Sequence, residues 1–113
     1  MTASAERSWV AVCPVGEVPT GAGVAALLAD GAQVAIFRTG KEFFGLSNVD
    51  PFSGAAVLSR GIVGDSSGVP VVASPIYKQR FDLVTGRCLD EDGVSVRTYP
   101  VRVVNGVVHV GSP

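Results

Sequence analysis

The sequence predicts an all-β fold, a small β-sandwich or barrel, on three observations. Short apolar stretches recur at regular spacing with Gly, Pro and Asn between them. Asp30-Gly31 and Asn105-Gly106 are strong hairpin signals, because glycine accepts the positive φ that tight turns demand. No stretch carries a capped 3.6-residue apolar period; 18–29 comes nearest and is broken by Pro19, Gly21 and Gly23. With 113 residues, 47% hydrophobic and 17% charged, the chain reads as one globular domain spanning 1–113. A core burying about 60–70% of the unfolded surface is expected at this length.

In order, Trp9-Val10-Ala11-Val12-Cys13 forms a first strand closed by Pro14, and 16–21 is a loop punctuated by Gly and Pro. Strands over 24–28 and 33–38 flank Asp30-Gly31. Taken as a two-residue turn, that dipeptide sets Leu27 opposite Val34 and Ala25 opposite Ile36. Thr39-Gly40 turns the chain into 42–46 and sets Phe43 opposite Ile36. Ala25, Leu27, Val34, Ile36 and Phe43 then share a core face. Around Asn105-Gly106 the expected pairs are Val104 with Val107, Val103 with Val108, Arg102 with His109, and Val101 with Val110. Val101, Val103, Val108 and Val110 form the apolar face. Arg102 and His109 share the other, where two cations side by side need solvent or an acid nearby. Pro100 cannot donate to a ladder and belongs at an edge or bulge.

Nine basic and ten acidic residues give a formal charge of −1, with no basic run. Nucleic acid and anionic membranes are therefore not expected partners. The first seven residues lack the apolar segment of a secretory leader, and the apolar run 24–29 is too short to span a bilayer. A cytoplasmic protein is expected. Cys13 and Cys88 are far apart and form no CxxC, so buried free thiols are expected rather than a disulfide. His109 has no nucleophile near it in sequence. Glu91 and Asp92 lie in the Gly-containing loop Asp90-Glu91-Asp92-Gly93, which reads as a solvated turn. The chain shows neither GxGxxG nor a P-loop, and no catalytic constellation stands out.

The stretch 46–84 organises the rest. It holds two loops, Ser47-Asn48-Val49-Asp50-Pro51-Phe52-Ser53-Gly54 and Ala73-Ser74-Pro75-Ile76-Tyr77-Lys78, the second leading into Arg80-Phe81-Asp82 and Thr85-Gly86. This layout resembles a Rieske-type iron–sulfur domain, whose loops read Cys-x-His and Cys-Pro-x-His. The resemblance implies a Rieske-like β-sandwich, with 46–84 as a degenerate cluster-binding subdomain inserted between strands. Asn48 and Asp50 stand where the first Cys and His would be, and Ser74 and Tyr77 where the second pair would be. A [2Fe-2S] Rieske centre needs two thiolates and two imidazoles. Four oxygen side chains do not suit it, so no cofactor and no metal are expected in this chain. A hard cation would want more carboxylates than Asp50 alone supplies; Asx-type bonds from Asn48 and Asp50 to turn amides are expected instead. With no metal to pin the loops, an apolar plug of Pro51, Phe52, Pro75, Ile76 and Tyr77 is expected, with the Tyr77 hydroxyl donating to Asp50 or Asn48.

Within that family the chain resembles the small subunits of assimilatory NAD(P)H-dependent nitrite reductases, in which the metal ligands are commonly missing. Trp9, Val12-Cys13-Pro14, Phe43-Phe44-Gly45-Leu46-Ser47-Asn48, Asp50-Pro51-Phe52-Ser53, Gly61-Ile62-Val63-Gly64-Asp65 and Val69-Pro70-Val71-Val72-Ala73-Ser74-Pro75 carry the resemblance. It implies a cytoplasmic holoenzyme reducing nitrite to ammonium in nitrate assimilation. FAD, sirohaem and an iron–sulfur cluster would reside in a large subunit, and this chain would be a non-catalytic docking partner. Val49, Phe52, Ile76, Tyr77 and Lys78 are the candidate docking residues, in competition with the plug for the same side chains. Two alternatives stay open: a cluster-free interaction module of another complex, and a ferredoxin-like electron carrier, including one binding a metal through Cys13, Cys88 and His109.

Overall fold

The computed structural model describes residues 8–112, and they form ten strands in three antiparallel sheets. The strands are β1 (Trp9–Pro14), β2 (Gly23–Leu27), β3 (Gln33–Thr39), β4 (Glu42–Ser47), β5 (Ile62–Ser66), β6 (Val69–Ala73), β7 (Arg80–Asp82), β8 (Thr98–Tyr99), β9 (Val101–Val104) and β10 (Val107–Gly111). Short 3-10 turns occupy Val15–Glu17 and Leu58–Arg60. The sheet orders are β1-β10-β9, β2-β3-β4-β8 and β5-β6-β7. The all-β expectation is met.

The central strand is β3. Val34, Ala35, Ile36 and Phe37 are all fully buried, because layers cover both of its faces. Val34 and Ile36 pack with Val18, Tyr99, Val108 and Val110, toward the β1-β10-β9 sheet. Ala35 and Phe37 pack with Leu46, Leu58, Val72, Phe81, Leu83, Cys88 and Val96, toward the β5-β6-β7 sheet. An unbroken run of four apolar residues is the sequence signature of such a doubly covered strand.

The β9–β10 hairpin has the expected register: Val104 pairs with Val107 and Val101 with Val110. Asn105 and Gly106 both take positive φ, 52° and 76°, as a type I′ turn requires. The β2–β3 hairpin differs from expectation by one residue. Ala26 pairs with Val34 and Val24 with Ile36. Its loop has three residues, 29–31, closed by Leu28 N–H to Ala32 O at 2.8 Å; Ala32 N–H also donates to Asp30 Oδ1 at 2.9 Å. Here Gly31 alone takes positive φ, 90°, while Asp30 does not, so the turn is not type I′. Because strand side chains alternate, the slip reverses the face. Val24 and Ala26 join the core, Ala25 is exposed, and Leu27 is 72% exposed.

Phe43 pairs with Arg38 rather than Ile36, since the turn is Gly40-Lys41, but it keeps the expected core face. Arg38 lies over the Phe43 ring at 5.2 Å and donates to Val18 O at 3.3 Å, tying the 3-10 segment to the sheet. On the far hairpin Val103, an edge-strand residue, is 40% exposed while Val108 and Val110 are buried. Arg102 is exposed to solvent, as expected, and also lies over Trp9, 4.0 Å from the ring centroid. Pro100 sits where the chain crosses from β8 to β9, at the junction of two sheets, and its carbonyl accepts from Gly111 N–H at 2.9 Å.

Candidate functional site

Everything from Asn48 to Arg97 lies between β4 and β8 and builds the far side of β3. Two loops meet at its tip, one following β4 and one following β6. The first closes on itself: Asp50 N–H donates to Ala55 O at 2.9 Å and Gly54 N–H to Asp50 O at 2.7 Å. The second closes likewise, Ser74 N–H donating to Gln79 O at 2.9 Å and Lys78 N–H to Ser74 O at 3.1 Å.

Asn48, Asp50 and Ser74 are the three buried polar or charged side chains among the described residues, at 2%, 0% and 0% exposure. Each is satisfied. Asn48 Oδ1 accepts Ser59 N–H at 2.7 Å, across eleven residues of chain. Asp50 Oδ1 accepts Phe52 N–H at 2.8 Å, the expected Asx turn. Asp50 Oδ2 accepts the Ser74 hydroxyl at 2.5 Å, and Ser74 Oγ in turn accepts Ile76 N–H at 3.3 Å. A hydrogen bond between side chains 24 residues apart thus joins the loops.

The expected Tyr77 plug is absent. Tyr77 is 58% exposed and Ile76 42% exposed, and the hydroxyl reaching Asp50 is that of Ser74. The second loop turns outward after Pro75, with Lys78 at φ 68° and its ammonium donating back to Pro75 O at 3.2 Å. Phe52 turns the other way, half-buried, 6.3 Å from the Phe81 ring and packed on the core. Of the candidate docking residues, Val49 (38% exposed), Ile76, Tyr77 and Lys78 lie open at the tip, whereas Phe52 supports it from below.

The donor set does not fit an iron–sulfur cluster. The four corner positions supply an amide, a carboxylate, a hydroxyl and a phenol, three of them already committed to hydrogen bonds within the fold. Thiols and imidazole lie elsewhere and do not converge. Cys13 packs against the β1-β10-β9 side of the core, Cys88 against the opposite side, and His109 alternates away from the core face of β10. Both cysteines are free, and burial, then Glu17, pushes the Cys13 thiol above its ordinary pKa. Among the described residues no three His, Cys, Asp or Glu side chains gather as a metal site. Asp90, expected to be part of a solvated turn, accepts Arg80 at 2.8 Å in an ion pair that also takes the Arg80 backbone N–H, clasping β7 to its neighbouring loop. Neither that pair nor the Asn48–Ser59 bond leaves a local signal in the sequence, because both span ten residues or more.

The Rieske-like [2Fe-2S] domain family matches residues 8–111. The chain belongs to the Rieske-like family. Within it the chain is 44% identical over 104 residues to the nitrite reductase (NADH) small subunit of Salmonella typhimurium, covering 90% of this chain and 95% of that one. A crystal structure of an NADH-dependent nitrite reductase small subunit from Mycobacterium tuberculosis shares 48% identity, with a TM-score of 0.92 over 96% of this chain and 97% of the other. The nitrite reductase [NAD(P)H] large subunit of Klebsiella oxytoca contains a 106-residue stretch 46% identical to 94% of this chain. The chain spans only 11% of that large subunit's length. This Rieske-like domain is thus of the nitrite reductase small-subunit type, and no helix among its described residues is long and apolar enough to cross a membrane.

Proposed function

We propose that this chain is the small subunit of a cytoplasmic NAD(P)H-dependent nitrite reductase, and that it works by docking on the large subunit rather than by carrying electrons. The observation that carries the reading is chemical. The corner positions that would hold a cluster are filled by oxygen side chains, and Asn48, Asp50 and Ser74 use theirs to hold the loops together. A domain so built offers no metal centre for electron hopping, so its contribution runs through contact. FAD, sirohaem and iron–sulfur chemistry then belong to the large subunit, and the isolated small subunit is not catalytic. The Klebsiella relative supports a physical partnership, since there a domain of this kind occurs within the large-subunit polypeptide itself.

The tip is the proposed docking surface. Val49, Ile76 and Tyr77 present exposed apolar side chains on two loops that the Asp50–Ser74 bond fixes in place, with Lys78 beside them. Tyrosine is a residue type that often dominates interface energetics. The test is recovery of the tagged chain from its native cells grown on nitrite as sole nitrogen source. The sirohaem-containing large subunit should accompany it, and deletion of the gene should impair that growth. Normal growth of the deletion strain, with no large subunit recovered, would overturn the assignment.

A further inference from the structure

The β1-β10-β9 sheet lies on the opposite side of β3 from the tip, and its outward face has an unusual composition. Ala11, His109 and Arg102 form one row across its three strands, alternating with the buried row of Val108 and Val110. The Arg102 guanidinium carbon lies over the Trp9 ring, 4.0 Å from its centroid, and His109 Nδ1–H donates to Val107 O at 3.0 Å, which fixes the ring. Among the described residues neither side chain has a carboxylate partner. An arginine already stacked on an aromatic ring loses little further freedom when it forms ionic hydrogen bonds. Trp and Arg are also the side chains most enriched where binding energy concentrates.

The chain's ends place this face next to the proposed partner. Ser112 N–H donates to Ser8 O at 3.0 Å, and Trp9 pairs with Gly111, so both ends of the described chain lie side by side at one end of this sheet. A domain carried within a longer polypeptide, as in the Klebsiella large subunit, is joined to the remainder through positions equivalent to these. Trp9 and Arg102 lie at that same end of the sheet. We propose that the outward face of the β1-β10-β9 sheet is a second contact surface, separate from the tip, on which Arg102 receives a carboxylate side chain of the large subunit, with His109 beside it. The proposal rests on the assignment of the chain as that subunit.

The experiment measures the affinity of the full-length chain for the purified large subunit of the same organism at low and high salt. The unaltered chain is compared with Arg102→Glu, with Arg102→Gln/His109→Gln and with Tyr77→Ala, each shown folded by circular dichroism. Arg102→Glu should weaken binding at low salt by at least about tenfold and flatten the salt dependence, because it places like charges together. The double neutral variant should fall between the two. Affinity of Arg102→Glu within about twofold of the unaltered chain, with the same salt slope, overturns the proposal. Loss confined to Tyr77→Ala would leave the tip as the sole contact and overturn this surface alone. Failure of the unaltered chain to bind at all would remove the subunit assignment together with it.

Discussion

Val34 and Ile36 leave β3 on one side into a cluster of aliphatic and aromatic side chains, whereas Ala35 and Phe37 leave it on the other into a cluster whose outer loops are tied by Asn48, Asp50 and Ser74. The first side is ordinary sandwich packing between two sheets. The second must hold long connections in place, and it does so with the buried side chains of Asn48, Asp50 and Ser74, each of which has a partner. Apolar packing tolerates changes that roughly conserve volume. A buried hydrogen bond has no such latitude: removing one partner leaves the other desolvated and unpaired. The two sides therefore differ in how sharply residue identity is specified, even though they share one strand.

Truncations of β3 should give the largest effects and show whether the sides are coupled. Phe37→Ala should cost about 3–5 kcal/mol and Ile36→Ala about 2–5. Either should shift one urea transition seen alike by far-UV circular dichroism and by fluorescence of Trp9, the single tryptophan. Two separated transitions would mean that the sides fold independently. Next comes Asn48→Ala, which strips the acceptor from Ser59 N–H in a part-buried setting. A loss of about 1–3 kcal/mol in the same assay is expected; no change would place water there instead.

The Arg80–Asp90 pair is a smaller, pH-dependent contribution. The hydrogen-bonding Arg80 guanidinium and the Arg80 backbone N–H hold the Asp90 carboxyl below its ordinary value. A depressed folded-state value means that its stabilisation is full above the ordinary carboxylate range and fades as pH falls through the depressed value. Asp90→Asn should therefore be less stable than the unaltered chain at neutral pH and match it in strong acid. A gap that persists in acid would assign the effect to packing. Smallest of all should be Tyr77→Ala, within about 0.5 kcal/mol in stability because the ring is exposed. Its effect should appear in large-subunit binding alone.

The two glycine hairpins show what the sequence discloses and where it stops. Asn105 adopts positive φ readily, so Asn105-Gly106 formed the two-residue turn that its chemistry favours, and every pair around it fell where counting placed it. Asp30 kept negative φ, with its carboxylate accepting Ala32 N–H, and the loop took in Ala29. One residue of difference moved Leu27 from the expected core to solvent. The Ser67-Gly68 turn, with φ of 52° and 89°, joins β5 to β6 and was not among the turns the sequence reading placed. At the tip, the two loops were readable from the order of motifs. The identity of the clasp was not. Tyr77 was the expected hydroxyl donor, but Ser74 takes that place, and the tight Ser74–Lys78 turn leaves the larger ring exposed.

A double-mutant cycle on Asp50 and Ser74 tests most directly whether a hydrogen bond clasps the loops. Asp50→Ala, Ser74→Ala and the double variant are unfolded in urea alongside the unaltered chain. A coupling energy of about 1–3 kcal/mol is expected, since each single change strands the other buried group. Additive losses, with coupling below about 0.3 kcal/mol, would contradict the clasp and leave the loops held by apolar packing alone.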